Sequence, residues 1–176
     1  VLRICADELK QADRRGGSTP LARIAGVVGR TEQAVREAEL ARTYDYHAAL
    51  LSLSAFADAT VPEMIDHAKA VSQIIPLVGF YLQPAVGGRV LPAEFWREFA
   101  KIPNVLAIKI APFNRYRTID VVRGVCEAGR EGEIALYTGN DDNIVADLIT
   151  EYRIATASGE RRARIVGGLL GHWSVW

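Results

Sequence analysis

The stretch Val105-Leu106-Ala107-Ile108-Lys109-Ile110-Ala111 reads as a buried β-strand with one lysine set into it. A cationic side chain on such a strand is costly to bury unless it is paired or neutralised. A low-dielectric pocket lowers an amine's pKa, and an amine that can shed its proton attacks carbonyls. That is the chemistry of a Schiff-base lysine. The alternative for Lys109 is a stem packed outside the sheet with its head in water. Tyr81 lies on an apolar run one βα unit earlier. A phenol near an imine can shuttle protons to and from the carbinolamine. The plainer alternative is a core tyrosine with a satisfied hydroxyl.

Other polar residues follow the ends of apolar runs. Gly139-Asn140-Asp141-Asp142 reads as a turn into a helix, with Asn140 or Asp141 as its cap. Its carboxylates have no histidine at ligand spacing, so capping is favoured over a metal site. Arg30 and Arg89 either hold a carboxylate or sit solvated in loops. His172 reads as structural, and His47 and His67 have no evident partners. Cys5 and Cys126 are far apart and neither is in a CxxC pair, which argues against structural zinc and a disulfide framework and makes a reducing cytoplasm the expected location.

These residues need a frame. Strand-like apolar runs fall at Leu21–Val28, Ala48–Leu53, Pro76–Leu82, Val105–Ile110, Ile134–Thr138 and Arg164–Leu170. Their centres lie about 25 to 31 residues apart, the length of one βα unit. Helical patterns fill the gaps. Thr31 is the expected N-cap of Glu32–Arg42, with Val35, Ala38 and Ala41 on one face. Thr60 caps the next helix, whose stripe is Met64, Ile65, Ala68 and Val71. Pro92 opens a helix carrying Phe95, Trp96 and Phe99. Tyr116–Glu127 carries Ile119, Val122 and Cys126 at helical spacing, and Asn143–Ile149 is a short helix. Thr156–Arg162 reads as an exposed loop.

Near-continuous apolar strands alternating with helices predict a parallel sheet covered by helices. Two architectures fit, an open doubly wound sheet and part of a (β/α)₈ TIM barrel. A nucleotide-binding open sheet wants GxGxxG after its first strand. Ala25-Gly26-Val27-Val28-Gly29-Arg30 lacks the third glycine, so the barrel is preferred. Residues 1–176 are read as one partial-barrel catalytic domain with about two strands missing. The first residues are amphipathic rather than a signal peptide. They look like helix interior and include no initiator methionine, which suggests a fragment. With 21 basic and 21 acidic residues the formal net charge is zero, so nothing favours nucleic acid as a partner. No apolar run approaches the roughly 20 residues that cross a bilayer.

In this setting the chain resembles the dihydrodipicolinate synthase / N-acetylneuraminate lyase family. Phe80-Tyr81-Leu82-Gln83-Pro84 resembles its tyrosine motif, Y-N-x-P, and Asn104-Val105-Leu106-Ala107-Ile108-Lys109 its Schiff-base segment. Tyr137-Thr138-Gly139-Asn140-Asp141-Asp142 is similar to its S-G-D-D segment, Val166-Gly167-Gly168-Leu169-Leu170-Gly171 to its last strand, and Ala25-Gly26-Val27-Val28-Gly29 to the end of its third. The resemblance implies that the six runs are strands three to eight of the barrel. It implies a class I aldolase or hydro-lyase in which Lys109 forms an imine with pyruvate or a related 2-keto acid. Tyr81 would relay protons, and Gly168, Leu170, Arg89 and Gly139 would line the substrate site. No cofactor or metal is implied, and the full-length protein would be a homo-oligomer acting on a keto acid and an aldehyde.

The family's Thr-Thr carboxylate-binding segment would lie upstream of Val1. Val86 stands where the synthases carry an arginine, with Arg89 three residues on. Leu82 replaces the usual asparagine and Ile110 the acidic residue after the lysine. These departures point away from dihydrodipicolinate synthase itself, toward a relative with another aldehyde or sugar-acid substrate. The alternatives are a sugar-acid dehydratase of the same family and a non-catalytic binding member.

Overall fold

The computed structural model describes residues 1–16 and 20–169, so Leu170 and His172 lie outside the described residues. Seven strands are present: β1 (Ile24–Val27), β2 (Ala48–Leu51), β3 (Leu77–Leu82), β4 (Val105–Ala111), β5 (Ala135–Thr138), β6 (Glu151–Thr156) and β7 (Gly159–Gly168). Their order in the sheet is β1-β2-β3-β4-β5-β7-β6. All neighbours pair parallel except β6 and β7. The helices are α1 (Leu2–Arg14), α2 (Thr31–Thr43), α3 (Val61–Ser72), α4 (Ala93–Ala100), α5 (Arg115–Glu127) and α6 (Ile144–Ile149). Each of the six apolar runs expected as strands supplies one parallel strand, and together they form part of a (β/α)₈ barrel.

The segment Thr156–Arg162 is not an exposed loop. It is the turn and one arm of the β6–β7 hairpin, with Thr156 opposite Gly159 and Glu151 opposite Arg164. Ile154, Ala163 and Ile165 are buried, while Glu151 pairs with Arg164 at 3.2 Å on the other side. The charged outer face of this hairpin gives it the composition of a loop. Only the alternation along the strands betrays it.

The sheet separates two apolar regions. Toward the helices lies the main core, including Leu51, Leu77, Tyr81, Ile108, Ile110 and Leu136. On the inner face a smaller cluster joins Ala48, Val78 and Ala107, with Leu50, Ala135 and Tyr137 against it. In α2 the fully buried residues Ala34, Ala38 and Ala41 carry only methyl groups, which suits close approach to the sheet. Phe95, Trp96 and Phe99 of α4 are buried as expected. Thr60 caps α3 in a reciprocal box with Glu63, whose carboxylate accepts from Thr60 N–H at 2.7 Å. Those backbone and hydroxyl hydrogen bonds hold the Glu63 carboxyl below its ordinary range.

Thr31 is not the N-cap of α2. Arg30 holds that position, and the Thr31 hydroxyl lies 3.0 Å from His67 Nδ1. His67 is 1% exposed and packs at a tilt against Phe56 with ring centroids 4.3 Å apart. Its Nε2 has no hydrogen-bond partner among the described residues. Burial pushes the imidazole down from 6.5 to about 4, so it is neutral in the fold. Between those values the unfolded chain binds a proton that the native state excludes. Stability is therefore fully present above about pH 6.5 and declines as pH falls toward 4. The shift corresponds to about 3 kcal/mol. Urea unfolding of the parent and of His67→Leu at pH 7 and pH 4.5 tests this. The variant is expected to lose less stability on acidification, and parallel losses would refute the assignment.

Candidate active site

The parallel register lines up Phe80, Lys109 and Tyr137 across three adjacent strands. Side chains of a strand alternate between faces, and these three lie on the inner face with Val78, Ala107 and Ala135. Lys109 is partly buried. Its Nζ stands 5.0 Å from the centroid of the Phe80 ring, a geometry attractive to an ammonium. It forms no ion pair among the described residues. The amine opens into a cleft of about 510 Å³ at the carboxyl ends of β3, β4 and β5. Phe80, Leu82, Gln83, Ala111, Phe113, Gly139, Asp141 and Leu169 complete the lining.

The expected meeting of Tyr81 with Lys109 is not found. Tyr81 is opposite Ile110 in the register and faces the helices. It is fully buried, with its ring centroid 5.2 Å from that of Trp96. Its hydroxyl donates to Leu91 O at 3.3 Å and accepts from Leu91 N–H at 3.1 Å. The phenol that does stand in the row, Tyr137, leans over Gly167 on the far side of β5. A Cβ at Gly167 would meet its ring carbons at 2.9 and 3.1 Å.

Gly139 touches the amine's stem. Its N–H donates to Ile110 O at 2.7 Å, bringing the β5 loop hard against β4. A Cβ there would lie 2.9 Å from Ala111 Cβ and 3.1 Å from Lys109 Cε. Gly168 ends β7 beside Thr138, and Leu169 N–H donates to Thr138 O at 2.8 Å. Leu170, named with Gly168 as a lining residue, lies outside the described residues, and Leu169 lines the cleft. Arg89 sits in a narrow crevice with Ser52, Leu53, Ser54 and Leu91, sharing Phe80 and Leu82 with the lysine cleft. Its Nη1 donates to Phe56 O and, at 2.8 Å, to Ala59 O.

Neither Asn140 nor Asp141 caps α6. The cap position is Asn143, and it makes no capping bond. Asn140 turns inward to Asp147, a carboxylate only 3% exposed that accepts from Thr138 Oγ1 at 2.6 Å and Asn143 Nδ2 at 2.8 Å. Burial and this carboxylate push the Tyr152 phenol up to about 12. Sequence reasoning passed over Asp147 and Phe113. The i,i+4 spacing of Asn143 and Asp147 was the available signal for the first, and nothing marked the second. Among the described residues no cluster of three histidine, cysteine or acidic side chains could hold a metal.

The sequence model of the dihydrodipicolinate synthetase family matches residues 12–151. A 4-hydroxy-tetrahydrodipicolinate synthase of Caldicellulosiruptor bescii is 33% identical over 139 residues, covering 77% of this chain and 44% of that protein. The dihydrodipicolinate synthase structures of Thermotoga maritima and Bacteroides thetaiotaomicron superpose with TM-scores of 0.67 and 0.68. Identities are 19% and 15%, over 81% and 98% of this chain and 47% and 53% of those. A barrel fold and a strand-borne lysine at the mouth define the class, that of (β/α)₈ proteins with an amine-bearing site. Within it, the chain belongs to the dihydrodipicolinate synthetase family. It spans about half the length of the relatives it matches.

Gly139→Ala is expected to displace Ala111 or the Lys109 stem and to cost about 1–3 kcal/mol in urea unfolding. A change under about 0.5 kcal/mol would show that the loops yield freely and are not tightly apposed.

Proposed function

We propose that the protein containing this chain is a Schiff-base-forming lyase or aldolase acting on pyruvate or a related 2-keto acid. The observation that carries this reading is the Lys109 amine, presented on the inner face into a cleft at the carboxyl ends of the strands, the end of a (β/α)₈ barrel where active sites are built. The uncharged amine adds to the ketone carbon. The carbinolamine takes up a proton on its hydroxyl and loses water, leaving a protonated imine. That imine draws electrons from the neighbouring carbon. Loss of a proton there gives an enamine, which attacks the carbonyl of an aldehyde, and hydrolysis returns the amine.

Tyr81, in this reading, braces the Leu91 segment rather than touching the imine. Proton transfers are assigned to cleft water and to Asp141, the carboxylate that shares the lining with Lys109. The substrate-binding role of Arg89 is assigned to the adjoining crevice. That crevice has room for about one water, so in this reading Arg89 meets a carboxylate of the second substrate only at the crevice mouth. Gly139 and the Gly168 backbone support the wall beneath the imine. A fitted wall holds the ketone close to the amine, where proximity lowers the barrier.

Borohydride added with pyruvate is expected to leave a covalent mass increment on the Lys109 peptide of the natural full-length protein. Lys109→Arg is expected to lose the adduct and to lower turnover by about 10³-fold or more. An adduct on another lysine, or undiminished turnover by Lys109→Arg, would rule the mechanism out.

A further inference from the structure

Asn140 is 3% exposed and stands where two loops cross. Its Oδ1 accepts from Phe113 N–H at 2.9 Å, and its Nδ2 donates to Thr118 Oγ1 at 3.1 Å and Asp147 Oδ2 at 3.0 Å. Its own N–H donates to Thr138 Oγ1 at 3.1 Å. The orientation of the amide follows from its neighbours: a backbone N–H can only donate, and an ionised carboxylate can only accept. Asp147 is fixed in turn by Thr138 on β5 and Asn143 beside α6. One side chain therefore ties the loop after β4 to the loop after β5, with α5 and α6 as anchors.

The tied positions are those that wall the amine. Phe113 lines the lysine cleft and has φ of +56°, a left-handed conformation that a non-glycine residue rarely keeps without support. Gly139, next to Asn140, approaches the Lys109 stem. We propose that Asn140 is a positioning residue, holding the β4 and β5 loops in one frame and so setting the walls of the cleft around Lys109. The proposal rests on the Schiff-base reading of Lys109 for its consequence in catalysis, and on hydrogen bonding alone for the clamp itself.

The test uses the natural full-length protein with pyruvate and borohydride as the probe. In Asn140→Ala, at a temperature well below its melting point, the pyruvate concentration giving half-maximal trapping is expected to rise about ten- to a hundredfold. The adduct at saturation should be retained, a split that loss of folded protein does not produce. Asn140→Asp places a second carboxyl against Asp147 of α6, with Lys109 of β4, Tyr152 of β6, Arg115 of α5 and the adjacent Asp141 and Asp142 among the charged or titratable neighbours. A proton shared between the two carboxyls restores the donor. Half-saturation in this variant is therefore expected to return toward the parent value as pH is lowered, while Asn140→Ala shows no such recovery. A folded Asn140→Ala protein with half-saturation within about twofold of the parent overturns the proposal.

Hydrogen exchange at the Phe113 amide separates the two readings. If the parent traps no pyruvate, the Schiff-base reading falls. Faster Phe113 exchange in Asn140→Ala then supports the clamp, and unchanged exchange overturns it.

Discussion

Strand β4 carries one residue more than the part of β3 that it pairs with. Leu77 stands opposite Val105, yet Val78 stands opposite Ala107. Leu106, 48% exposed, is the extra residue. A strand has a side-chain period of two, so one inserted residue exchanges the faces of everything beyond it relative to its neighbour. Paired residue for residue from Leu77 and Val105 onward, with Leu106 in the ladder, Tyr81 would stand opposite Lys109. With Leu106 outside it, Phe80 does, and the amine meets an aromatic face instead of a phenol. Tyr81 is thereby released into the helix-side core, where its ring packs on Trp96 and its hydroxyl closes on Leu91.

That exchange connects the core to the mouth. Leu91 lies just before α4, and the segment from Pro84 to Leu91 holds Arg89. By accepting and donating at one residue, the buried phenol fixes where this segment re-enters the helix layer. Arg89 is then steadied from the other side by two carbonyls of the loop after β2. A guanidinium oriented by the protein loses less side-chain freedom on binding an anion. The same loop contributes Phe56, which packs at a tilt against His67 and lies 5.2 Å below the Arg30 guanidinium. Core packing on the outer face thus sets polar groups on the inner one.

Much of this was legible in the sequence. Apolar runs at βα spacing disclosed all six parallel strands, because strands covered on both faces have little room for polar residues. Thr60 and the apolar stripe behind it announced α3, and the aromatic stripe announced α4. Lys109 was legible as the anomaly in its strand, and Gly139-Asn140-Asp141-Asp142 as a turn into a helix. The parity between Tyr81 and Lys109 was not, because it depends on a register that only paired strands possess. Motif spacing alone would set them on one face, and the residue at Leu106 cancels that inference. The hairpin was hidden for another reason. Its outward positions are Arg153, Arg162 and Arg164, whose charges outweigh the few buried side chains in any average over the segment. Asn140 was read as a helix cap, and its burial as a hub was hidden because it turns on Asp147, seven residues away.

The placement of Asn140 also explains why an amide suits this position better than the carboxylate that the resembling segment would supply. The hub must satisfy a donor at Phe113 and an acceptor at Asp147 simultaneously. An amide offers both functions at once, whereas an aspartate offers a donor only when protonated. Asp147 accepts from Thr138 and Asn143 as well, so the donor between the two residues falls to residue 140. The amide at the first position after Gly139 and the burial of Asp147 are therefore two halves of one arrangement. It leaves Asp141, one residue further, as the carboxylate that reaches the cleft.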